Sequence, residues 1–202
     1  MLVLAVLVHL GRTQSLDDAV RQWARPDDVW GPLQVRVDLI VEGLRPAVTL
    51  PVTACVAAVV SVARRSARPL LLAAATTILM AGLTVGVKIL LHRPDPHGAL
   101  SDHGGSFPSG HTATVVACAG FATMLLGPAQ RWSWWLATLL LGTLMAAALI
   151  VQAAHWATDV VGGGLVGVTV LAVLSALGLD RWGAPAPSHP DVIRPGPRAE
   201  EA

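Results

Sequence analysis

The chain has 202 residues, 53% of them hydrophobic and 13% charged, with a formal net charge of +1 at neutral pH. Soluble domains carry about 25% charged residues, so this deficit and a mean hydropathy of +0.60 exclude an ordinary soluble globule and point to a polytopic membrane protein. A balance this close to zero offers no electrostatic footing for nucleic acid, and no nucleic-acid partner is expected.

Met1–Leu10 is apolar but too short to span a bilayer. It has neither the basic leader nor the small-residue cleavage site of a signal peptide, so it reads as a first helix whose beginning is missing. Gly11–Arg45 mixes five arginines with six acids and holds Trp23 and Trp30. This pattern predicts an interfacial loop, with one short amphipathic helix over Ser15–Trp23 capped by Ser15. Residues 1–45 thus form a first unit, a truncated helix and a loop.

Crossing the hydrocarbon core takes about 20 apolar residues. Runs of that kind follow at Pro46–Ala63, Pro69–Leu91, Ser109–Leu126, Trp132–Val151 and His155–Leu179. The expected fold is all-α, a polytopic transmembrane bundle of five to six helices with its body in residues 46–179. Gly162, Gly163, Gly164 and Gly167 suit the last helix, because small residues let membrane helices approach closely. Cys55 and Cys118 lie inside apolar runs and read as core or lipid-facing residues. Trp132, Trp134, Trp135 and Trp156 fall near helix ends, as interfacial anchors do. The tail, 180–202, is rich in proline and charge and is expected to be disordered.

Arginine placement sets an orientation. Arg64, Arg65, Arg68, Arg131, Arg181, Arg194 and Arg198 fall at one end of the bundle if the helices alternate, which makes that end and the tail cytoplasmic. Two polar islands then lie at the extracytoplasmic end. The first runs from Lys88 through His92, Arg93, Pro94, Asp95 and Pro96 to Pro108-Ser109-Gly110-His111, and the second is His155-Trp156-Ala157-Thr158-Asp159. Ionisable groups at the ends of spanning helices are costly and mark a functional site. Ser109 is a natural N-cap, and the first turn behind it offers N–H groups and a helix dipole to an anion. His155 and Asp159 stand four apart and share a helical face, so the carboxylate can hold one ring nitrogen and leave the other bare for attack. His92, Asp95, His97, Asp102 and His103 crowd the first island, but their spacing matches no familiar ligand pattern. Neither metal nor cofactor is expected.

Taken together these motifs resemble the type 2 phosphatidic acid phosphatase (PAP2) superfamily of membrane lipid phosphatases. Pro108 to His111 matches the family's second signature in full, Lys88 matches the lysine of the first, and His155 and Asp159 match the histidine and aspartate of the third. The resemblance covers about Pro46–Leu179. It departs from the family at two arginines: Asp95 stands where the first signature has one, and Ala148-Leu149 where the third has Ser-Arg. The resemblance implies a metal-independent phosphatase in which His155 attacks phosphorus, Asp159 orients it and His111 protonates the leaving group. Lys88, Arg93, Ser109 and Gly110 would hold the phosphoryl oxygens. Asp95 and Gln152, the latter one turn past Leu149, become candidate substrate contacts. The implied substrate is a lipid phosphate or diphosphate in the cell membrane. With two arginines replaced, a non-catalytic relative that binds anionic head groups and a lipid phosphotransferase are the alternatives. The oligomeric state is not legible.

Overall fold

The computed structural model describes residues 1–100, 104–125 and 131–177. Asp102, His103, the 180–202 tail and the predicted helix ends past 125 and 177 lie outside these residues. Among the described residues every regular element is helical: α1 (Leu2–His9), α2 (Gln14–Ala24), α3 (Pro32–Leu44), α4 (Pro46–Ala63), α5 (Arg68–Leu91), α6 (Gly110–Leu125), α7 (Arg131–Val151) and α8 (Ala157–Ala176). Four stretches are long and apolar enough to cross a membrane: residues 32–63, 68–91, 132–151 and 157–176. With α6 they form the expected all-α bundle of a multi-pass membrane protein.

The helices α4 to α8 alternate in direction. At one end Arg64 donates from Nη2 to the Leu125 carbonyl at 2.8 Å, tying the exit of α4 to the exit of α6. The opposite end collects the exit of α5, the start of α6 and the α7–α8 link, and with them both polar islands. Threonines inside the bundle return their hydroxyls to the carbonyl one turn back, as Thr76 does to Leu72 at 2.7 Å and Thr114 to Gly110 at 2.8 Å. These hydroxyls are thereby satisfied within their own helices, as an apolar surrounding requires.

The central helix is α6, which packs against α4, α5, α7 and α8. Its 16 residues span about 24 Å, short of the roughly 30 Å hydrocarbon core. The buried segment 105–109 leads into its start. The expected small-residue contact on α8 is present there. A Cβ at Gly163 would lie 2.4 Å from the Ser109 carbonyl oxygen, and one at Gly162 would lie 2.6 Å from the Phe107 ring. These glycines let α8 seat directly on the turn that carries Ser109.

Two expectations need correction. Residues 11–45 are not a loop with one helix. α2 is there, at Gln14–Ala24, but α3 follows and runs almost directly into α4. The prolines at 32 and 46 each sit at a first helical position, where proline's missing N–H costs nothing. Trp156 is not an interfacial anchor. It is 8% exposed, donates from Nε1 to the Pro94 carbonyl at 2.9 Å, and lies under the Arg93 guanidinium at 5.2 Å. Trp132, at 82% exposure, does fit the anchor reading.

Candidate active site

A cavity of about 550 Å³ opens between α4, α5 and α6 at the end that holds the polar islands. Its upper wall carries Lys88, Asp95, Gly110, His111 and His155, and its lower wall Leu50, Met80 and Val85. It is therefore polar at one end and apolar at the other.

Lys88 occupies the last turn of α5, 9% exposed, and its Nζ donates to the Gly105 carbonyl. The loop after α5 folds back on it: the Ser106 N–H reaches the Arg93 carbonyl at 2.7 Å, and its hydroxyl the Pro94 carbonyl at 3.1 Å. A Cβ at Gly105 would lie 2.8 Å from the Arg93 nitrogen, so glycine is what lets this loop close. The chain then turns through buried Phe107 and Pro108 into α6. Ser109 is the N-cap, as its sequence context predicts, and its Oγ accepts the Thr112 N–H at 3.4 Å. The Ser109 N–H is itself committed to the Asp159 carbonyl at 2.9 Å. A phosphate-holding role for that N–H is thus displaced by a structural one. Gly110 and His111, in the first helical turn, have N–H groups with no carbonyl one turn back, and both residues line the cavity.

His155 lies in the link before α8, not inside the helix as predicted, because α8 begins at Ala157 with Trp156 as its N-cap. The predicted pairing nevertheless forms, with Nδ1 of His155 3.3 Å from Oδ2 of Asp159. The same oxygen accepts the Trp156 N–H at 3.1 Å. Asp159 is fully buried, and its other oxygen accepts Nη1 of Arg93 at 2.7 Å. With Nδ1 occupied by the carboxylate, Nε2 is the nitrogen of His155 left for chemistry in the cavity.

Arg93 stands elsewhere than its expected role requires. It does not line the cavity. It lies behind Asp159, 8% exposed, with Nη1 on Thr158 Oγ1 at 2.8 Å and on Asp159, and Nη2 on Asp17 Oδ2 at 2.6 Å. Gln152 is likewise withdrawn: its Nε2 donates to Asp38 of α3 at 2.9 Å, and its carbonyl accepts Arg25 at 2.6 Å. Leu149 is buried with Val41, Met145 and Val160, so the space at that position is filled by apolar packing against α3. Asp95 does line the cavity. Its Oδ1 accepts the N–H groups of His97 and Ala99 at 2.8 and 2.9 Å, which fixes the carboxylate on a tight turn.

The sequence patterns miss Asp17 and Thr158. Asp17 sits on α2, fully buried, and accepts the Thr158 N–H at 2.9 Å and the Thr158 hydroxyl at 2.7 Å. Nothing in its local sequence separates it from Asp18, the exposed residue beside it.

Comparisons with known proteins bear on the family and the fold. The sequence profile of the PAP2 superfamily matches residues 69–182. A lipid A 1-phosphatase of Porphyromonas gingivalis is 35% identical over 92 residues, which cover 46% of this chain and 20% of that protein. The chain thus matches about a fifth of that relative's length. The crystal structure of a transmembrane PAP2-type phosphatidylglycerolphosphate phosphatase from Bacillus subtilis superposes with a TM-score of 0.77 over 88% of this chain and 92% of that one, at 21% identity. At that identity the likeness speaks for the fold. A profile that matches more than half of the chain, and that contains both polar islands, settles the family: the chain belongs to the PAP2 superfamily.

Proposed function

We propose that the protein is an integral-membrane phosphatase that hydrolyses a lipid phosphate or diphosphate through a phosphohistidine at His155, on the extracytoplasmic face. The observation that carries this reading is one cavity in which a carboxylate-held histidine, a second histidine at a helix start and a lysine meet above an apolar wall. A phosphate fits the upper end and an acyl or prenyl chain the lower, which favours a lipid over a soluble ester. Both relatives described above are named for lipid phosphates, in keeping with that choice. The extracytoplasmic placement rests on the arginines at the opposite end of the bundle.

In the proposed reaction Nε2 of His155 attacks phosphorus, and the bond from phosphorus to the lipid oxygen breaks. His111 gives its proton to the leaving oxygen. A water then attacks phosphorus, His111 takes back a proton from that water, and the P–N bond breaks to release inorganic phosphate. Asp159 holds the His155 ring and balances the positive charge that forms on it. Lys88 and the N–H groups of Gly110 and His111 hold the phosphoryl oxygens, since phosphoryl transfer depends mainly on positioning and charge stabilisation. Asp95 is proposed to meet a hydroxyl or amine of the lipid head group rather than its phosphate.

The test is phosphate release by purified protein in detergent across phosphatidate, phosphatidylglycerophosphate, polyprenyl diphosphate and a glycolipid phosphate, with and without a strong chelator. Release from at least one lipid, unaffected by chelation, supports the reading. Tight binding with no release by any of them favours a binding protein. Transfer of phosphate to an added alcohol in place of water favours a phosphotransferase.

A further inference from the structure

We propose that Asp17 of α2 is a positioning residue for the reaction, one that sets the charge behind the attacking histidine. The inference rests on the proposed role of His155. Asp17 lies outside the residues matched by the family profile and on a helix that supplies nothing to the cavity.

The docking of α2 is unusual for a surface helix. Its outward face carries Leu16 at 58% and Trp23 at 83% exposure, while Thr13 and Asp17, one turn apart, are buried. The buried face of α2 thus carries a carboxylate beside half-buried Val20 and Ala24. The side-chain hydrogen bonds of Asp17 fall on two residues. Oδ1 accepts the Thr158 N–H at 2.9 Å, and Oδ2 accepts the Thr158 hydroxyl at 2.7 Å and Nη2 of Arg93 at 2.6 Å. Thr158 is in the first turn of α8, so Asp17 satisfies one of the N–H groups that a helix start leaves over. Arg93 carries the connection onward through Nη1 to Oδ1 of Asp159, whose Oδ2 meets His155.

Charge explains why a second carboxylate belongs here. Were Arg93 paired with Asp159 alone, the guanidinium would cancel the carboxylate and leave nothing to balance an imidazolium or phosphoimidazolium at His155. Because Arg93 is shared with Asp17, the three groups sum to −1, and a cation formed on His155 brings the cluster to neutrality. Asp17 and Asp159 are fully buried and Arg93 is 8% exposed, so solvent screens these charges little. Among the described residues, the other charged or titratable groups around His155 are Lys88 on α5, His111 on α6 and Asp95 on the α5–α6 loop, all on the cavity side. One residue removed from the link, Arg25 and Asp38 bind Gln152. None of these five touches Asp17 or Arg93 in the network just described.

The experiment compares Asp17→Asn, the charge-balanced double variant Asp17→Asn/Arg93→Gln and, as a neighbouring control, Asp18→Asn. It uses the full chain in detergent and reads kcat, KM and the acidic limb of kcat/KM against pH. Asp17→Asn keeps the shape but removes one negative charge, which disfavours the protonated ring of His155. The expected result is a kcat lower by about ten- to a hundredfold, the size of loss that follows removal of the carboxylate behind a metal-bound histidine. KM should stay near its original value and the acidic limb should move to lower pH. In the double variant the cluster again sums to −1, so the limb returns toward its original position. Asp18→Asn behaves as the unaltered protein. An unchanged kcat in folded Asp17→Asn overturns the proposal, and so does a lower kcat with the limb unmoved, which is the mark of a merely structural role. If the single variant does not fold, the double variant decides: an original limb position supports the charge argument and a displaced one refutes it. His155→Ala is run alongside. Activity surviving there removes the proposed function itself, whereas an inactive His155→Ala with an unaffected Asp17→Asn removes the role of Asp17 alone.

Discussion

On the cavity side of His155, the described side chains supply one full cation, Lys88, and one carboxylate, Asp95. On the opposite side the ring is backed in sequence by Asp159, Arg93 and Asp17, all buried and joined by hydrogen bonds of 2.6 to 3.3 Å. Charge in a dry, fixed setting acts at full strength whether or not a ligand is bound, while charge on a cavity wall is spent on whatever enters. In the proposed reaction the distribution therefore favours holding His155 over gripping a phosphate. The same contrast appears at Leu149, where apolar packing against α3 occupies a position that could have carried a donor.

The largest effect is expected at His155, which stands between the two sides. His155→Ala should bring turnover below detection, on the order of the millionfold loss that follows removal of a nucleophile; activity near the original level in a phosphate-release assay would move the chemistry to another residue. Next in size is Lys88→Ala. If it is the cavity's working cation, its loss should cost about 100–1000-fold in turnover and raise KM as well, because both ground and transition states lose a contact. Arg93→Ala should be as damaging to kcat while leaving KM close to its original value, since Arg93 stands behind the site. It should also destabilise the fold by about 3–5 kcal/mol, because two buried carboxylates lose their shared partner. A thermal or denaturant midpoint separates that loss from the catalytic one. A raised KM with intact stability would instead return Arg93 to the phosphate.

Two smaller effects sharpen the contrast. Asp95→Asn keeps the acceptor that fixes the turn at His97 and Ala99, so turnover of a simple phosphate ester should hold. Loss confined to the natural lipid would place Asp95 against the head group. Gln152→Ala should leave kinetics unaltered and cost about 1 kcal/mol of stability, the worth of its hydrogen bond to Asp38. A changed lipid preference in that variant would contradict its withdrawn position.

Much of this was legible in the chain. Long apolar runs fix four of the helices to within a residue or so, because membrane spans need length and little else. The N-cap at Ser109 and the His155–Asp159 pair are local features, four residues or fewer across, and both form. What escaped depends on distant contacts. Arg93 looks like a phosphate ligand from its neighbours, and only the arrival of α2 and α8 on either side shows where its two nitrogens go. α3 was hidden by its mixed charge. Its role is visible only in three dimensions, where Gln34 reaches the Val151 carbonyl at 3.4 Å and Asp38 holds Gln152. Arg25, just ahead of it, takes the Gln152 carbonyl. Gln34 and Arg25 thereby satisfy carbonyls that the end of α7 would otherwise leave over. Residues 11–45 thus brace the link that carries His155.

If His155 is the group held ready from behind, its covalent phosphoryl intermediate can be trapped. The protein is mixed with a lipid phosphate carrying labelled phosphorus and a good leaving group, quenched in alkali, digested and mapped. Label is expected on His155, stable to base and released by acid, formed also by His111→Ala, which lacks the proton donor but not the nucleophile, and absent from His155→Ala. Label on another residue, or steady hydrolysis with no labelled protein under conditions that trap histidine phosphate, would contradict it.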